Sequence, residues 1–200
     1  MKKIAVFCSG KGTNLQAIID AVKTGRLKVS IALVISDNKN AYALSRAKKA
    51  GIKNVFIDPN NFLDKAAFEA RIIEELKKEK IDLIVLAGFM RILSTGFVKN
   101  FKNKIINIHP ALLPAFKGAH AIKDAFLYGV KVTGVTVHFV DEKTDHGPII
   151  LQEAIRIEEK DTLESLEARI HKIEHKIYPQ AIRLFAQGKL VIKDRKVRIF

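Results

Sequence analysis

Two hundred residues, 48% of them hydrophobic and gathered in short apolar blocks, bound one domain with a sizeable core and exclude a disordered chain. Cys8 is the only cysteine, which excludes an intramolecular disulfide, and the longest apolar stretches, such as residues 81–90 with Asp82 inside, are too short to span a membrane. The net charge of +14 and isoelectric point of about 9.9 fit an anionic partner, whether a nucleic acid, a phosphorylated metabolite or a polyglutamylated cofactor; the lysines are scattered without interleaved aromatics, which also suits plain solvated helix faces.

Residues 3–8 form an apolar run that ends in Ser9-Gly10. A glycine turn and a helix follow at once, so the run predicts a first strand rather than a signal peptide, and a cytoplasmic location follows by default. Cys8 closes that strand and reads as a small buried apolar residue. Thr13 or Asn14 can cap a helix whose apolar face is Leu15, Ile18, Ile19 and Val22. Residues 29–35 are a second strand, 41–50 a short helix ended by Gly51, and 54–57 a third strand. Asp64 can cap a long helix to residue 80 with Phe68, Ile72, Ile73 and Leu76 on one face. Residues 81–87 are continuously apolar, the pattern of a strand covered on both faces, and 105–108 are a fifth strand.

The pattern changes after residue 110. Residues 111–119, with Pro114 and Gly118, predict a loop, and 121–128 a helix. Residues 132–140 and 149–155 predict an antiparallel strand pair joined by the loop 141–148. Residues 163–186 predict a long terminal helix, and the short runs 190–192 and 197–199 straddle Asp194-Arg195 as a closing hairpin. Strands separated by helices predict an α/β fold: a doubly wound, mostly parallel sheet with helices on both faces and an antiparallel strand pair in the C-terminal half. Ligands of such sheets bind at the carboxyl ends of the strands. Ser9-Gly10, Gly88 and Asn107 to His109 all fall at or just past predicted strand ends.

The chemistry concentrates in Asn107-Ile108-His109-Pro110 and in Asp145 of the sequence Asp-His-Gly-Pro. An amide, an imidazole and a carboxylate are the minimum set for acyl transfer to an amine. Asn107 can donate to a developing oxyanion, His109 can donate or hold a proton, and Asp145 can orient the ring or move protons through water. The turn Ser9-Gly10-Lys11-Gly12-Thr13-Asn14 lets backbone and a helix N-terminus approach an anion. Lys11 precedes Gly12, which is not the Walker order; the third glycine of a dinucleotide fingerprint is missing and no acidic residue is expected to close the second strand, so a small phosphomonoester fits better. His146 reads as an exposed loop residue. His171 and His175 lie four apart on a helix without a third ligand, and no metal site is expected.

Five segments carry a family resemblance: SGKGTNLQAI from Ser9, LAGFMRILS at Leu86 to Ser94, NIHPALLP at Asn107 to Pro114, TGVTVHFVDEKTDHGPII at Thr133 to Ile150, and EHKIYP at Glu174 to Pro179. In this order, and over nearly the whole chain, they resemble the phosphoribosylglycinamide formyltransferases, the folate-dependent enzymes of purine synthesis. The resemblance implies transfer of a formyl group from 10-formyltetrahydrofolate, a co-substrate rather than a tightly bound cofactor, to the amine of glycinamide ribonucleotide. It makes Asn107, His109 and Asp145 the catalytic residues, with His109 protonated beside the carboxylate. It gives the substrate phosphate to Gly10, Lys11, Gly12, Thr13 and Asn14, with Gly88 and Pro110 bordering the ribonucleotide and Glu174 at its ribose or amine end. Met90, Arg91, Ile92 and Leu93 line the pterin slot, Asn107, Val140, Asp141 and Asp145 close its other side, and the loop 114–121 is a flap. One formyltransferase domain over 1–200 is implied, with 1–105 mainly for the phosphate and 106–200 mainly for catalysis and folate.

Three positions depart from the family pattern. Lys65 stands where arginine often meets the folate, Ile173 where a polar side chain is expected, and Ala111 where serine is frequent. Lysine keeps the charge but loses the planar fork. Rival readings are a tRNA-directed formyltransferase, a formyltetrahydrofolate hydrolase, and a basic binding module without catalysis. The first two carry extra domains not expected here. The partners implied are the two small substrates, with no nucleic acid and no membrane, for a monomer or homodimer.

Overall fold

In β1 (Lys3–Phe7) four consecutive residues, Ile4 to Phe7, are fully buried. Strand side chains alternate between faces, so such a run requires cover on both. The end of β2 (Ser30–Ser36) and all of β4 (Leu83–Leu86) share the pattern. The computed structural model describes residues 1–200, which fall into two compact units, Met1–Ile106 and Asn107–Phe200.

In the first unit the strands run in the order β3-β2-β1-β4, all parallel, with β3 at Asn54–Phe56. Helix α1 (Thr13–Lys23) does not start on a side-chain cap from Thr13 or Asn14. Both lie inside its first turn, and Gly12 in the left-handed region (φ 69°) precedes it. A Cβ on Gly12 would sit 2.7 Å from that of Ala43 on α2 (Tyr42–Lys49), so only glycine serves this approach. Helix α3 (Lys65–Glu79) is capped as the sequence predicts: the Asp64 carboxylate accepts from the Ala67 N–H at 2.8 Å.

Phe68, Ile72 and Leu76 of α3 are buried, and so, against the apolar pattern, are Glu69 and Glu75. Each is compensated. Glu69 accepts from Ser94 at both its N–H and its hydroxyl, and Glu75 pairs with Arg71, Lys53 and Lys78. Two elements escape the sequence reading: a 3-10 turn at Pro59–Asn61 under the Asp58 cap, and α4 (Thr95–Asn100), whose Ser94 hydroxyl accepts from the Phe97 N–H.

Strand β5 (Ile105–His109) carries the chain into the second unit, where the order is β5-β6-β7-β9-β8. β6 (Val132–Phe139) and β7 (Ile149–Arg156) are the expected antiparallel pair. β8 (Leu190–Lys193) and β9 (Lys196–Ile199) form the closing hairpin, tied in parallel to β7 by the pair Ile149 and Lys196. Helix α5 (Ala121–Tyr128) precedes β6. Helix α6 (Leu163–Ala186) opens with a Thr162–Ser165 capping box and packs on β6 and β7 through Leu166, Ile170, Ile177, Tyr178 and Ala181. Glu174 lies on that buried stripe.

Candidate active site

Strand β5 places Asn107 and His109 two residues apart, hence on one side of the strand. Asp145 comes from the loop between β6 and β7, and a fourth side chain, His138, from the end of β6. Asn107 Nδ2 lies 3.5 Å from Asp145 Oδ1 and 3.3 Å from His138 Nε2. His109 Nδ1 is 3.4 Å from Asp145 Oδ2. The second unit therefore brings the three predicted catalytic side chains into one cluster.

His138 was not singled out from sequence. It is 2% exposed. Its Nδ1 is 2.8 Å from the Phe139 carbonyl, which needs an N–H there, and its Nε2 lies 3.3 Å from the Asn107 amide and 3.8 Å from Asp145 Oδ1. The ring thus orients the amide.

The loop 114–121 meets the same cluster. His109 Nε2–H donates to the Phe116 carbonyl at 2.7 Å, and the Gly118 N–H donates to Asp145 Oδ2 at 2.8 Å. Phe116 and Asp145 both stand at φ 47°, in the left-handed region that disfavours side chains. Burial pushes the His109 imidazole below its ordinary pKa, opposed by the Asp145 carboxylate, the Phe116 carbonyl and the charge of Glu174. Both ring nitrogens face acceptors, Nε2 the Phe116 carbonyl and Nδ1 the Asp145 carboxylate, so burial and these partners pull the proton in opposite directions and His109 and Asp145 titrate as a pair. Burial also opposes the charged form of Asp145, but the His138 ring, the Gly118 N–H and His109 together hold its carboxyl below the usual range.

Glu174 is buried rather than a surface carboxylate, and its Oε2 lies 2.8 Å from His171 Nδ1. The His171 and His175 rings stack at 6.4 Å. Pro110 and Val140 are half-buried next to His109 and the catalytic loop respectively. The Asp141 carboxylate accepts from the Lys143 N–H at 3.0 Å and faces His146 Nδ1 at 2.7 Å. His146, expected to be an exposed loop residue, is half-buried and held between Asp141 and Arg195.

In the first unit the Ser9 N–H donates to the Gly88 carbonyl at 2.9 Å, joining the ends of β1 and β4. Gln16 is the first residue of α1 to bond back, to Gly12, so the N–H groups of its opening turn point out of the helix. Arg46 fastens the same turn by donating to the Lys11 carbonyl at 2.9 Å. Asn14 is buried, while Gly10 and Lys11 are exposed.

Met90, Arg91 and Ile92 are exposed, Leu93 is half-buried, and Lys65 is exposed at the start of α3. A network missed from sequence ties this segment to the phosphate turn. The Ser9 hydroxyl donates to Asp37 at 2.6 Å and accepts from the Met90 N–H at 2.9 Å, and Arg91 Nε donates to the other Asp37 oxygen at 2.9 Å. Asp37, directly after β2, is the signal that could have found it, and it corrects the expectation that no acidic residue closes the second strand. Cys8 is buried, which pushes its thiol up to about 12 and leaves it inert.

A family model described as formyl transferase matches residues 2–182. The chain is 49% identical over 183 residues to a phosphoribosylglycinamide formyltransferase of Bacillus subtilis (strain 168), covering 92% of this chain and 94% of that one. Among solved structures, glycinamide ribonucleotide transformylase 1 from Symbiobacterium toebii aligns with a TM-score of 0.97 at 50% identity, over 100% of this chain and 94% of the other. A formyltetrahydrofolate deformylase from Pseudomonas syringae pv. tomato aligns at a TM-score of 0.92 but only 28% identity, and this chain covers 66% of it.

Proposed function

We infer the activity from one premise: the chain belongs to the formyl transferase family, and within it to the phosphoribosylglycinamide formyltransferases. It transfers the formyl group of 10-formyltetrahydrofolate to the amine of glycinamide ribonucleotide, giving formylglycinamide ribonucleotide and tetrahydrofolate, in purine biosynthesis. The observation that supports the assignment of roles is the cluster in which Asp145 lies within 3.5 Å of both Asn107 and His109.

The ribonucleotide amine attacks the formyl carbon, and the carbonyl oxygen becomes an oxyanion. The Asn107 amide and His109 Nε2–H are the donors for it. His109 Nε2 now serves the Phe116 carbonyl, so that carbonyl is displaced when the formyl oxygen arrives. Loss of one such donor costs about 10²–10³ in rate. The attacking nitrogen becomes cationic and gives up a proton. The folate N10 takes one as its bond to the formyl carbon breaks. Asp145, ionised at neutral pH, carries that proton through water. No covalent bond to the enzyme forms, and holding both substrates in register supplies much of the rest.

The first unit serves mainly the phosphate, at Gly10, Lys11, Gly12, Thr13 and Asn14 with Gly88 alongside, and contributes Lys65 and Met90 to Leu93 to the folate. The second serves mainly the chemistry, with Pro110 and Glu174 at the ribonucleotide and Val140 and Asp141 at the pterin. No helix is long and apolar enough to cross a membrane. We place the enzyme in the cytoplasm, as a monomer or homodimer acting on small molecules and not on nucleic acid.

The test is the absorbance change on mixing the protein with 10-formyltetrahydrofolate, with and without glycinamide ribonucleotide. A change only with the ribonucleotide is expected. A change without it would mean hydrolysis, and none in either, from folded protein, would overturn the reading.

A further inference from the structure

Asp145 stands on a loop with little of its own to hold it. Its backbone stands in the left-handed region, φ 47°, which aspartate tolerates better than most side chains but still at a cost, so the contacts around it help to hold it there. Gly147 fixes one end of the loop: a Cβ there would lie 1.9 Å from the Phe139 carbonyl oxygen, so the chain runs directly against the end of β6. Between Asp145 and Gly147 is His146, and a side chain from far along the sequence grips it.

Arg195 sits in the two-residue turn between β8 and β9. Its Nη2 donates to the His146 carbonyl at 2.7 Å. Its Nη1 lies 3.0 and 3.2 Å from the two ring nitrogens. Near-equal distances put the guanidinium across the ring rather than on one lone pair. The ring edge meanwhile faces the Asp141 carboxylate at 2.7 Å. The hairpin that presents Arg195 is itself anchored, because β9 pairs with β7, the strand the loop enters, at Ile149 and Lys196.

We propose that Arg195 is a positioning residue: by clamping His146 it holds the adjoining Asp145 carboxylate beside His109. The proposal rests on the reading of Asp145 as the proton carrier. Only a planar fork reaches the carbonyl and covers the ring at once; a lysine ammonium can serve the carbonyl alone.

Arg195→Ala, Arg195→Lys and, as a control for charge alone, Arg198→Ala on the same hairpin are compared by kcat, both KM values, Tm and NMR titration of the His109 ring. Misplacing a reacting group by about 1 Å costs up to about 10² in rate. Arg195→Ala is expected to lower kcat about ten- to a hundredfold with the ribonucleotide KM unchanged. It should also move the His109 titration to lower pH, because the carboxylate that supports the imidazolium has withdrawn. Arg195→Lys recovers part of both, and Arg198→Ala changes neither.

A wild-type kcat in Arg195→Ala overturns the proposal. So does a fall in kcat with an unmoved His109 titration, or an equal loss in Arg198→Ala. If Arg195→Ala does not fold, Arg195→Lys is judged by the same two readouts. Asp145→Asn run alongside separates the failures: if it keeps full activity, the role given to Asp145 is wrong, and the clamp stands or falls on the His109 titration alone.

Discussion

Asp145→Asn keeps the shape of the side chain and removes one charge. In the folded enzyme that charge lies 3.4 Å from His109 Nδ1. At an effective dielectric of about 20, unit charges at such a distance interact by about 5 kcal/mol, and the cost of desolvating both groups cancels part of it. The variant loses this support for the imidazolium just as the oxyanion forms, and it loses the group that moves the amine proton. Proton transfer alone is worth about 10²–10⁴ in rate, so turnover should fall by at least about a hundredfold. Asparagine can still accept from the Gly118 N–H, so the loop should hold and folate affinity should be largely intact. Single-turnover absorbance measurements with both substrates saturating isolate the chemical step, and folate binding is titrated separately. A loss of less than about tenfold would refute proton movement by Asp145 as its main role.

The turn at the head of α1 is tested by replacing Thr13 and Asn14 with alanine; the KM for the ribonucleotide should rise more than that for folate, and equal rises would argue against a phosphate cradle. Asp37→Asn weakens the link from Ser9 to Arg91 and should raise the folate KM several-fold, whereas an unchanged value would make the network purely structural. His138→Ala removes the ring that orients the Asn107 amide and should lower kcat more than it alters either KM; the reverse pattern, read from steady-state kinetics, would assign the ring to binding. Glu75 is held at about 2, first by Arg71 and then, against burial, by Lys78 and Lys53. A folded pKa below the unfolded one of about 4.5 stabilises fully above that pH and is lost as the pH falls towards about 2, so Glu75→Gln should flatten the dependence of urea-unfolding stability on pH in that window.

The alternation of strands and helices is legible because burial imprints its period on the residues: continuous apolar runs at β1 and β4, a helical stripe on α3 and α6. Asn107 and His109 are legible for a similar local reason, since residues two apart on a strand share a face. What escapes the sequence depends on contacts across long separations. The Ser9–Asp37 bond joins residues 28 apart and the Ser9–Met90 bond residues 81 apart, and nothing local in either partner announces the other. His138 is invisible because a packed histidine and an orienting one look alike until Asn107 is seen 3.3 Å away.

His109 shows the same division at the level of a single proton. From sequence, a carboxylate partner argues for imidazolium. In the fold the ring is 4% exposed, and desolvation, which no local pattern encodes, lowers its pKa against the pull of the Asp145 carboxylate at Nδ1 and the Phe116 carbonyl at Nε2. The oxyanion replaces that carbonyl at Nε2 and adds a negative charge where only a dipole stood. The charged ring is therefore favoured more in the transition state than before it, which is the condition for an interaction to accelerate the reaction.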